Sequence, residues 1–274
     1  MRVWMFVVLA ACADPSPPPP DEPAPCDDNV VPLVTTRVDG VADTQVVPIE
    51  LDGRDAWLAL DTGAPLTFVF SDPAGPVFVD HAADITIGCE VRAVAGYRAD
   101  AIGAEVFDGK PIVGILGLDF FAPAGEIDYP GGTLARRARV PADAAALPAA
   151  PLTVIDERAL VDVVIDDVPL RLMVDTGAQS TLWLGVTGDA DDEQGQIEMA
   201  DGTLWDVWFG DGQLVLAGEP PRSVPVIRGL ANDYIGPELE ALGAQGLLGL
   251  TSIGWRRIVI DRDAGLLRLG GPRE

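Results

Sequence analysis

The sequence predicts an all-β protein built from two similar lobes, and three observations support this fold class. From Val30 onward, short apolar segments are separated by turn residues, a spacing typical of β structure with little helix. An apolar stretch that runs into Asp-Thr-Gly and leaves as a second apolar segment occurs twice, at residues 58–68 and 172–182. Further landmarks recur in the same order, which indicates an internal duplication. We therefore expect each lobe to present one aspartate to a central cleft.

Composition and charge restrict the classes of function. The chain has 274 residues, 48% of them hydrophobic, enough for one large core or two modest ones. Its formal net charge of −25 comes from 43 acidic residues against 18 basic ones, and such a surface repels nucleic acid. The single histidine, His81, excludes a multi-histidine metal site, and a serine triad has no Gly-x-Ser-x-Gly turn. We expect no metal and no cofactor.

Residues 1–12 predict a secretory signal. Arg2 precedes an apolar run that is too short to span a bilayer as a helix, which takes about 20 residues. The run ends in Leu9-Ala10-Ala11-Cys12, which resembles the bacterial lipobox. The resemblance implies cleavage before Cys12 and lipid attachment to its thiol, and Ala13 after it hints at the outer membrane. The alternative is a plain signal peptide in which Cys12 has no role.

Residues 13–29 are polar and proline-rich and predict a tether. The run Pro17–Pro20 favours polyproline II, which is semi-rigid. We divide the remainder into a first lobe at 30–140, an interlobe connection at 141–152 that is rich in Ala and Pro, and a second lobe at 153–274.

The first lobe contains a series of predicted strands. Asp52-Gly53 is a strong hairpin turn between two of them. The strands are Val31–Val38, Gln45–Leu51, Ala56–Leu60, Leu66–Phe70, Val77–Val79, Asp84–Ile87 and the segment 112–121, followed by a hairpin through Gly125–Tyr129 and Thr133–Arg136.

The second lobe repeats this pattern. Residues 161–165 correspond to residues 47–51 at the same offset as the two aspartates, and residues 246–250 correspond to residues 114–118. The closing hairpin at 260–265 corresponds to residues 127–132. The second half has a longer interval before its Leu-Leu-Gly, and there Pro237–Ala244 could form a short helix.

The duplicated motif resembles the aspartic peptidases of the pepsin and retropepsin type. Asp61-Thr62-Gly63-Ala64 and Asp175-Thr176-Gly177-Ala178 each follow an apolar strand and precede an apolar-apolar-Gly segment. The resemblance covers roughly residues 31–272 and implies a two-lobed β fold with one catalytic aspartate per lobe, Asp61 and Asp175. A close pair of carboxyl groups shares one proton, so the pair holds an acid and a base at once, as in the standard description of this enzyme family.

The resemblance also implies roles for the neighbouring residues. Gly63 and Gly177 let the backbone turn beneath the carboxylates, and Thr62 and Thr176 hydrogen-bond across the lobe junction. Ile115-Leu116-Gly117 and Leu247-Leu248-Gly249 pack behind the two loops.

Alanine follows each Asp-Thr-Gly, where many pepsin-like enzymes place a hydroxyl group that donates to the carboxylate. Loss of a donor to the charged form raises a carboxyl pKa. We therefore expect Ala64 and Ala178 to move the activity optimum towards mildly acidic or neutral pH.

The sequence departs from the pepsin pattern because it contains no clear flap with a tyrosine ahead of a Gly-x-Gly turn. Candidates are Ala200-Asp201-Gly202 with Trp205, Ile87-Gly88 and Gly96-Tyr97. Each aromatic residue could equally be a packing residue.

Two further cysteines, Cys26 and Cys89, could form a disulfide in an exported protein, or could both be free thiols. A bond between them would fix the end of the tether to the first lobe.

These observations predict a monomeric aspartic endopeptidase that acts on peptide or protein substrates. We expect export to the cell envelope and attachment to a membrane through the N-terminal lipid, at the outer membrane or the periplasmic face. Two alternatives remain: a catalytically idle pepsin-like binding module of the envelope, and a glycosidase whose acid pair is Asp61 and Asp175. The glycosidase alternative does not explain the paired threonines and glycines.

Overall fold

Strands make up most of the regular structure in the computed structural model, which confirms the all-β class. The structure describes residues 28–38, 41–71, 76–98, 106–198, 204–230, 232–233, 235–254 and 256–271. The first half of the chain contributes strands β1 (Asp28–Pro32), β2 (Val34–Val38), β3 (Val41–Leu51), β4 (Arg54–Leu60), β5 (Phe68–Ser71), β6 (Phe78–Ile87), β7 (Glu90–Arg98), β8 (Val106–Phe107), β9 (Lys110–Leu116), β10 (Ala124–Asp128) and β11 (Thr133–Arg137).

The second half repeats this succession of strands and also contains three short helices in its described part. Its strands are β12 (Ala149–Ile155), β13 (Arg158–Ile165), β14 (Val168–Val174), β15 (Thr181–Leu184), β16 (Glu193–Glu198), β17 (Leu204–Val215), β18 (Arg222–Gly229), β19 (Gly246–Leu248), β20 (Arg257–Asp261) and β21 (Leu266–Leu269). The helices are α1 (Ala142–Ala145), α2 (Gly236–Leu242) and α3 (Leu250–Ile253), and a 3-10 helix covers Leu118–Phe121.

The hairpin turns follow from residues that tolerate positive φ. Asp52 and Gly53 have φ of 50° and 74° between β3 and β4, which confirms the predicted turn. The equivalent turn of the second lobe uses Asp166 and Asp167, with φ of 50° and 65°. Aspartate visits this region more readily than most residues, so both hairpins close tightly.

Parallel strand pairs bring the repeated motifs together. In the first lobe β4 pairs in parallel with β9, so the strand that leads into Asp61 lies beside Ile115 and Leu116. In the second lobe β14 pairs in parallel with β19, and Met173 and Val174 lie opposite Leu247 and Leu248. Each apolar-apolar-Gly segment therefore flanks the strand that carries its own aspartate.

One sheet of 13 strands joins the two halves of the chain. Its first six strands run in the order β1-β11-β10-β20-β21-β12, and β10 pairs antiparallel with β20. A single buried apolar cluster draws on both halves, including Ile127 and Leu134 from the first and Ile258 and Leu267 from the second. The other sheet, of eight strands, belongs to the first half alone.

Several elements differ from the sequence prediction. The predicted strands Val77–Val79 and Asp84–Ile87 form one strand, β6, with a register shift between Val79 and Ala83. β1 begins at Asp28, inside the segment predicted as tether, and residues 141–152 contain α1 and the start of β12. The predicted helix near Pro237–Ala244 is confirmed as α2.

Candidate active site

Each aspartate lies at the end of a strand and is held there by the backbone of the neighbouring strand. Asp61 follows β4, and its N–H donates to the carbonyl oxygen of Leu116 at 3.1 Å. Asp175 follows β14, and its N–H donates to the carbonyl oxygen of Leu248, also at 3.1 Å. The two loops therefore leave their sheets in the same way.

The two loops are tied to each other by their threonines. The N–H of Thr62 donates to Oγ1 of Thr176, and the N–H of Thr176 donates to Oγ1 of Thr62, both at 3.0 Å. Oγ1 of Thr62 also donates to the carbonyl oxygen of Val174 at 3.0 Å. Both threonines are buried, so this reciprocal arrangement fixes the separation of the two loops.

The glycines allow each loop to approach the opposite carboxyl group. A methyl group on Gly63 would lie 2.7 Å from Cγ of Asp175, and one on Gly177 would lie 2.8 Å from Cγ of Asp61. Both distances are shorter than real Cβ contacts, so only glycine fits without a shift of the carboxyl group or the backbone. The backbone of each loop therefore faces the aspartate of the other lobe.

The carboxyl groups of Asp61 and Asp175 face each other across the two loops, and their surroundings are unequal. Asp61 accepts the N–H of Gly63 at 2.8 Å. Asp175 accepts two backbone donors, Gly177 at 2.9 Å and Ala178 at 3.0 Å. Desolvation raises the pKa of Asp175 well above its ordinary value, and the neighbouring Asp61 adds to the increase, against the two backbone donors. Two carboxyl groups that interact this closely favour a state in which the pair holds one proton.

The alanines after the two Asp-Thr-Gly motifs make different contacts. The N–H of Ala64 donates to the backbone carbonyl oxygen of Asp61, whereas that of Ala178 donates to the Asp175 carboxylate. Neither side chain can supply a hydroxyl donor, because both are methyl groups.

The apolar-apolar-Gly segments pack against the far side of each loop. A methyl group on Gly117 would lie 2.5 Å from the carbonyl carbon of Leu66, and one on Gly249 would lie 2.3 Å from the carbonyl oxygen of Ser180. Just beyond these glycines, Leu118 donates to Ala64 and Leu250 donates to Ala178, each at 2.8 Å. Only a residue without a side chain allows this close backbone contact.

Sequence reasoning missed two buried threonines that support the loops. Oγ1 of Thr67 accepts the N–H of Gly117 at 3.2 Å, and Oγ1 of Thr181 accepts that of Gly249 at 3.3 Å. Each threonine stands six positions after its aspartate, so alignment of the two copies would have revealed the pair. Asp119 binds Thr67 through Oδ1, and Thr251 stands at the corresponding position of the second copy.

Of the flap candidates of the second lobe, only Trp205 lies among the described residues. Ala200-Asp201-Gly202 falls outside the described residues. Trp205 stands on β17 opposite Ile197, and its ring packs closely on Gly229. Its partly buried ring also packs against the second apolar cluster of this lobe, so Trp205 is a packing residue.

The flap candidates of the first lobe are strand and turn residues. Ile87 ends β6 and Gly88 begins the turn to β7. Asn29 of β1 fixes this turn, because its Nδ2 donates to the carbonyl oxygen of Ile87 at 2.7 Å. Gly96 and Tyr97 lie inside β7, and the Tyr97 ring stands 5.6 Å from that of Phe68. Neither pair occupies the tip of a free hairpin.

The N-terminal predictions lie largely outside the described residues. Cys89 is disulfide-bonded, while Cys12 and Cys26, which are the other cysteines of the chain, fall in the part that is not described. The signal segment and most of the tether fall there too. Within the described part, no helix has both the length and the apolar character needed to cross a bilayer.

Comparison with known proteins identifies the fold. No protein-family model and no curated protein matches the sequence. One solved structure that shares the fold is conglutin gamma, a basic 7S globulin from lupine seeds. It is 8% identical in sequence, the match covers 89% of this chain and 95% of that chain, and the TM-score is 0.53. Basic 7S globulin from soybean is 10% identical, the match covers 90% of this chain and 95% of that chain, and the TM-score is 0.52. The two-lobed pepsin-like β fold is thereby confirmed, and at these identities the likeness extends to the fold alone.

Proposed function

We propose that the protein is an aspartic endopeptidase that hydrolyses peptide bonds with a water molecule activated between Asp61 and Asp175. The observation that supports the proposal is the facing pair of aspartates: each carboxyl group lies against the glycine of the other loop, and the Thr62–Thr176 hydrogen bonds hold the two loops together. A pair of structural turn aspartates would not require the glycine of each loop to abut the carboxyl group of the other.

The unequal surroundings of the pair suggest how the chemistry is divided. Asp175 retains the proton and can donate it to the carbonyl oxygen that is attacked, while ionised Asp61 accepts a proton from the water. The water oxygen bonds to the carbonyl carbon as Asp61 takes one of its protons. The C–N bond then breaks, and the amine leaves after the pair has protonated it. This pair of carboxyl groups supplies both the general acid and the general base.

We further propose that the enzyme is exported and held at the cell envelope by a lipid on Cys12, and that it acts as a monomer. This part of the proposal is supported by the sequence of residues 1–29. Both aspartates belong to one chain, so a single copy supplies the complete pair.

Cleavage of an unbiased peptide library tests the activity. We expect the wild type to cleave, and Asp61→Asn and Asp175→Asn each to lose at least about a thousandfold in kcat, as for other residues that act as a unit. Asp55→Asn is the matched control, because Asp55 is an exposed aspartate of the same lobe that pairs with Lys110. Equal cleavage by all four proteins would reject the proposal, as would no cleavage by any of them.

A second candidate function is a catalytically idle binding module of the envelope. It is favoured by the descriptions of the structural neighbours as 7S globulins, which name no enzymatic activity. In that case a statine-type peptide would bind the protein, and the peptide library would remain intact at every pH.

A further inference from the structure

The loop that carries Asp61 is fixed by a charged group that the second loop lacks. Oδ1 of Asp119 accepts both the N–H and the hydroxyl group of Thr67, each at 2.7 Å. Oδ2 of the same carboxylate accepts Nη2 of Arg92 at 3.1 Å. Since hydrogen bonds to an ionised acceptor are about twice as strong as neutral ones, this carboxylate is a firm anchor for Thr67.

Thr67 links the Asp119 carboxylate to the loop that carries Asp61. It is buried, and its hydroxyl oxygen accepts the N–H of Gly117 directly behind the loop. The N–H of Asp119 also donates to the carbonyl oxygen of Pro65 at 3.2 Å. Asp119 therefore holds the loop at two points, four and six residues beyond Asp61.

The anchor is connected to the sheet that joins the lobes. Nε of Arg92 lies 3.3 Å from Oε1 of Glu90, and Oε2 of Glu90 lies 3.0 Å from Nε of Arg136 on β11. The Arg92 and Asp119 side chains are 20% and 23% exposed, so solvent screens their attraction only in part. The guanidinium group of Arg92 also lies over the ring of Phe120, which restricts its orientation.

The second lobe provides an internal comparison. Thr251 stands where the first lobe has Asp119, and its N–H donates to the carbonyl oxygen of Gln179 at 2.9 Å. Its hydroxyl group donates to the same oxygen at 2.6 Å. In the described part of this lobe no carboxylate accepts a hydrogen bond from Thr181. The backbone hydrogen bonds of the two loops therefore correspond, and the loops differ in the charged Asp119 contact that only the first loop has.

We propose that Asp119, oriented by Arg92, is a positioning residue that sets the Asp61 carboxylate through Thr67. The inference rests on the proposed function for its catalytic consequence, but the geometry of the Asp61 loop can be measured without it. A loop fixed to within a fraction of an ångström would keep the general base aligned with the water, since small displacements of a reacting group reduce the rate strongly.

Three variants of the full chain test the proposal. Asp119→Ala removes both acceptors of Thr67, Asp119→Asn retains an amide oxygen that can accept from Thr67 but loses the ion pair, and Asp55→Ala is the control at an exposed ion pair. We expect Asp119→Ala to lower kcat about tenfold with KM little changed, and Asp119→Asn to recover part of that loss, because its neutral oxygen still accepts from Thr67 but more weakly. A loss that acted only through general stability would follow the melting temperature of each variant instead.

The second measurement does not depend on activity. The carboxyl carbon resonance of Asp61 is followed by NMR as pH changes in each protein. We expect its titration to change in Asp119→Ala, to stay closer to wild type in Asp119→Asn, and to be unaltered in Asp55→Ala. An unaltered Asp61 titration in folded Asp119→Ala would overturn the proposal, as would identical behaviour of the Ala and Asn variants. If no protein cleaves peptides but the titration changes as expected, the peptidase function fails and the positioning role stands.

Discussion

At the residue scale, the carboxyl group of Asp175 connects activity with stability. Its pKa is raised in the folded protein by desolvation and by Asp61, whereas an unfolded aspartate titrates near about 3.9. Between these two values the folded state binds more protons than the unfolded state, so stability falls as pH rises. We expect Asp175→Asn to be more stable than wild type at pH 7, and the difference to vanish below about pH 4, where both states of the wild type are protonated.

Urea unfolding at several pH values measures this difference. Asp162→Asn is a control of opposite sign, because the hydrogen bond from Arg171 lowers the pKa of Asp162. Its loss should reduce stability at pH 7 and have no effect at low pH. A destabilised Asp175→Asn at pH 7 would mean that the carboxylate is stabilised by the fold, contrary to the raised pKa.

The threonine exchange between the loops gives a second prediction. Thr62→Val removes the oxygen that accepts from the N–H of Thr176 and the hydroxyl group that donates to Val174. We expect it to lower the free energy of unfolding by about 2–4 kcal/mol, since two buried groups lose their partners. Thr62→Ser keeps the hydroxyl group and should cost less than half as much; equal losses would assign the effect to packing.

The missing hydroxyl donor at the second loop gives a third prediction. Ala178→Ser would place a hydroxyl group beside Asp175, and a donor to the charged form lowers a carboxyl pKa. We expect the alkaline limb of the kcat/KM profile, where the acid of the pair loses its proton, to move to lower pH, and the wild-type optimum to lie in the mildly acidic to neutral range. A wild-type profile that peaks below about pH 3 would contradict the interpretation of these alanines.

The residues of the dyad and its glycines could be predicted from the sequence because their chemistry needs specific residue types at a repeated spacing. The role of Asp119 was not predicted, since nothing local indicates that its carboxylate reaches Thr67 over 52 positions. Arg92 was not predicted, because one arginine in a strand gives no signal of its partner. Long-range polar contacts of this kind depend on the packing of strands that a single sequence does not specify.

At the scale of elements, one buried side chain of β1 binds the turn between β6 and β7. Nδ2 of Asn29 donates to the carbonyl oxygen of Ile87, and its Oδ1 accepts the N–H of Cys89 at 3.3 Å. We expect Asn29→Ala to destabilise the protein by about 1–3 kcal/mol, because the turn between β6 and β7 loses both bonds in a buried site. The measurement is thermal or urea unfolding under conditions that keep the disulfide of Cys89 intact.

The neighbouring Asp28 provides the control for β1. It is exposed and pairs with Arg137 at 3.3 Å, so Asp28→Ala should change stability by less than about 1 kcal/mol. If the two substitutions cost the same, the bonds of Asn29 contribute nothing beyond an ordinary surface contact.

Strands were predicted correctly where an uninterrupted apolar run lies between turn residues, and they were missed or divided where charged residues interrupt the run. β4 has a short apolar run after an Asp-Gly turn, and it was predicted within two residues of its observed start. β7 was missed because Arg92 and Arg98 interrupt its pattern, and β6 was divided because His81 stands in its exposed centre. Strands with one exposed face tolerate such polar residues, so composition alone underestimates their length.

At the scale of the whole molecule, one carboxylate pairs with arginines from both halves. Glu126 on β10 has an 8% exposed side chain, and its oxygens accept from Arg137 at 3.2 Å and from Arg257 of β20 at 2.6 Å. We expect Glu126→Gln to lower the free energy of unfolding by about 1–3 kcal/mol, since it removes the buried charge between two arginines and leaves them only the exposed carboxylates of Asp28 and Asp143. Lys110→Met, which removes an exposed pair with Asp55, should cost less than about 1 kcal/mol.

Calorimetry measures the stability change of Glu126→Gln. Tryptophan fluorescence tests whether the two lobes unfold in a single transition. Trp57 reports on the first lobe, and Trp183, Trp205 and Trp208 report on the second, so variants that keep the tryptophans of one lobe separate the two signals. Because both halves share a sheet and a buried core, the two signals should change in one transition in the wild type. Separate transitions for the two signals would show that the shared sheet does not couple the lobes.

The pairing of β10 with β20 has an evolutionary consequence. These strands are equivalent in the two copies, and Ala124 pairs with Asp261, the counterpart of Asp128, while Asp128 pairs with Arg257, the counterpart of Ala124. Such a junction is isologous, meaning that the same surface serves on both sides of an approximate twofold axis. A half-length ancestor with a single aspartate could therefore have assembled this junction, and a two-aspartate cleft, by association with an identical molecule before gene fusion made the two sides free to diverge.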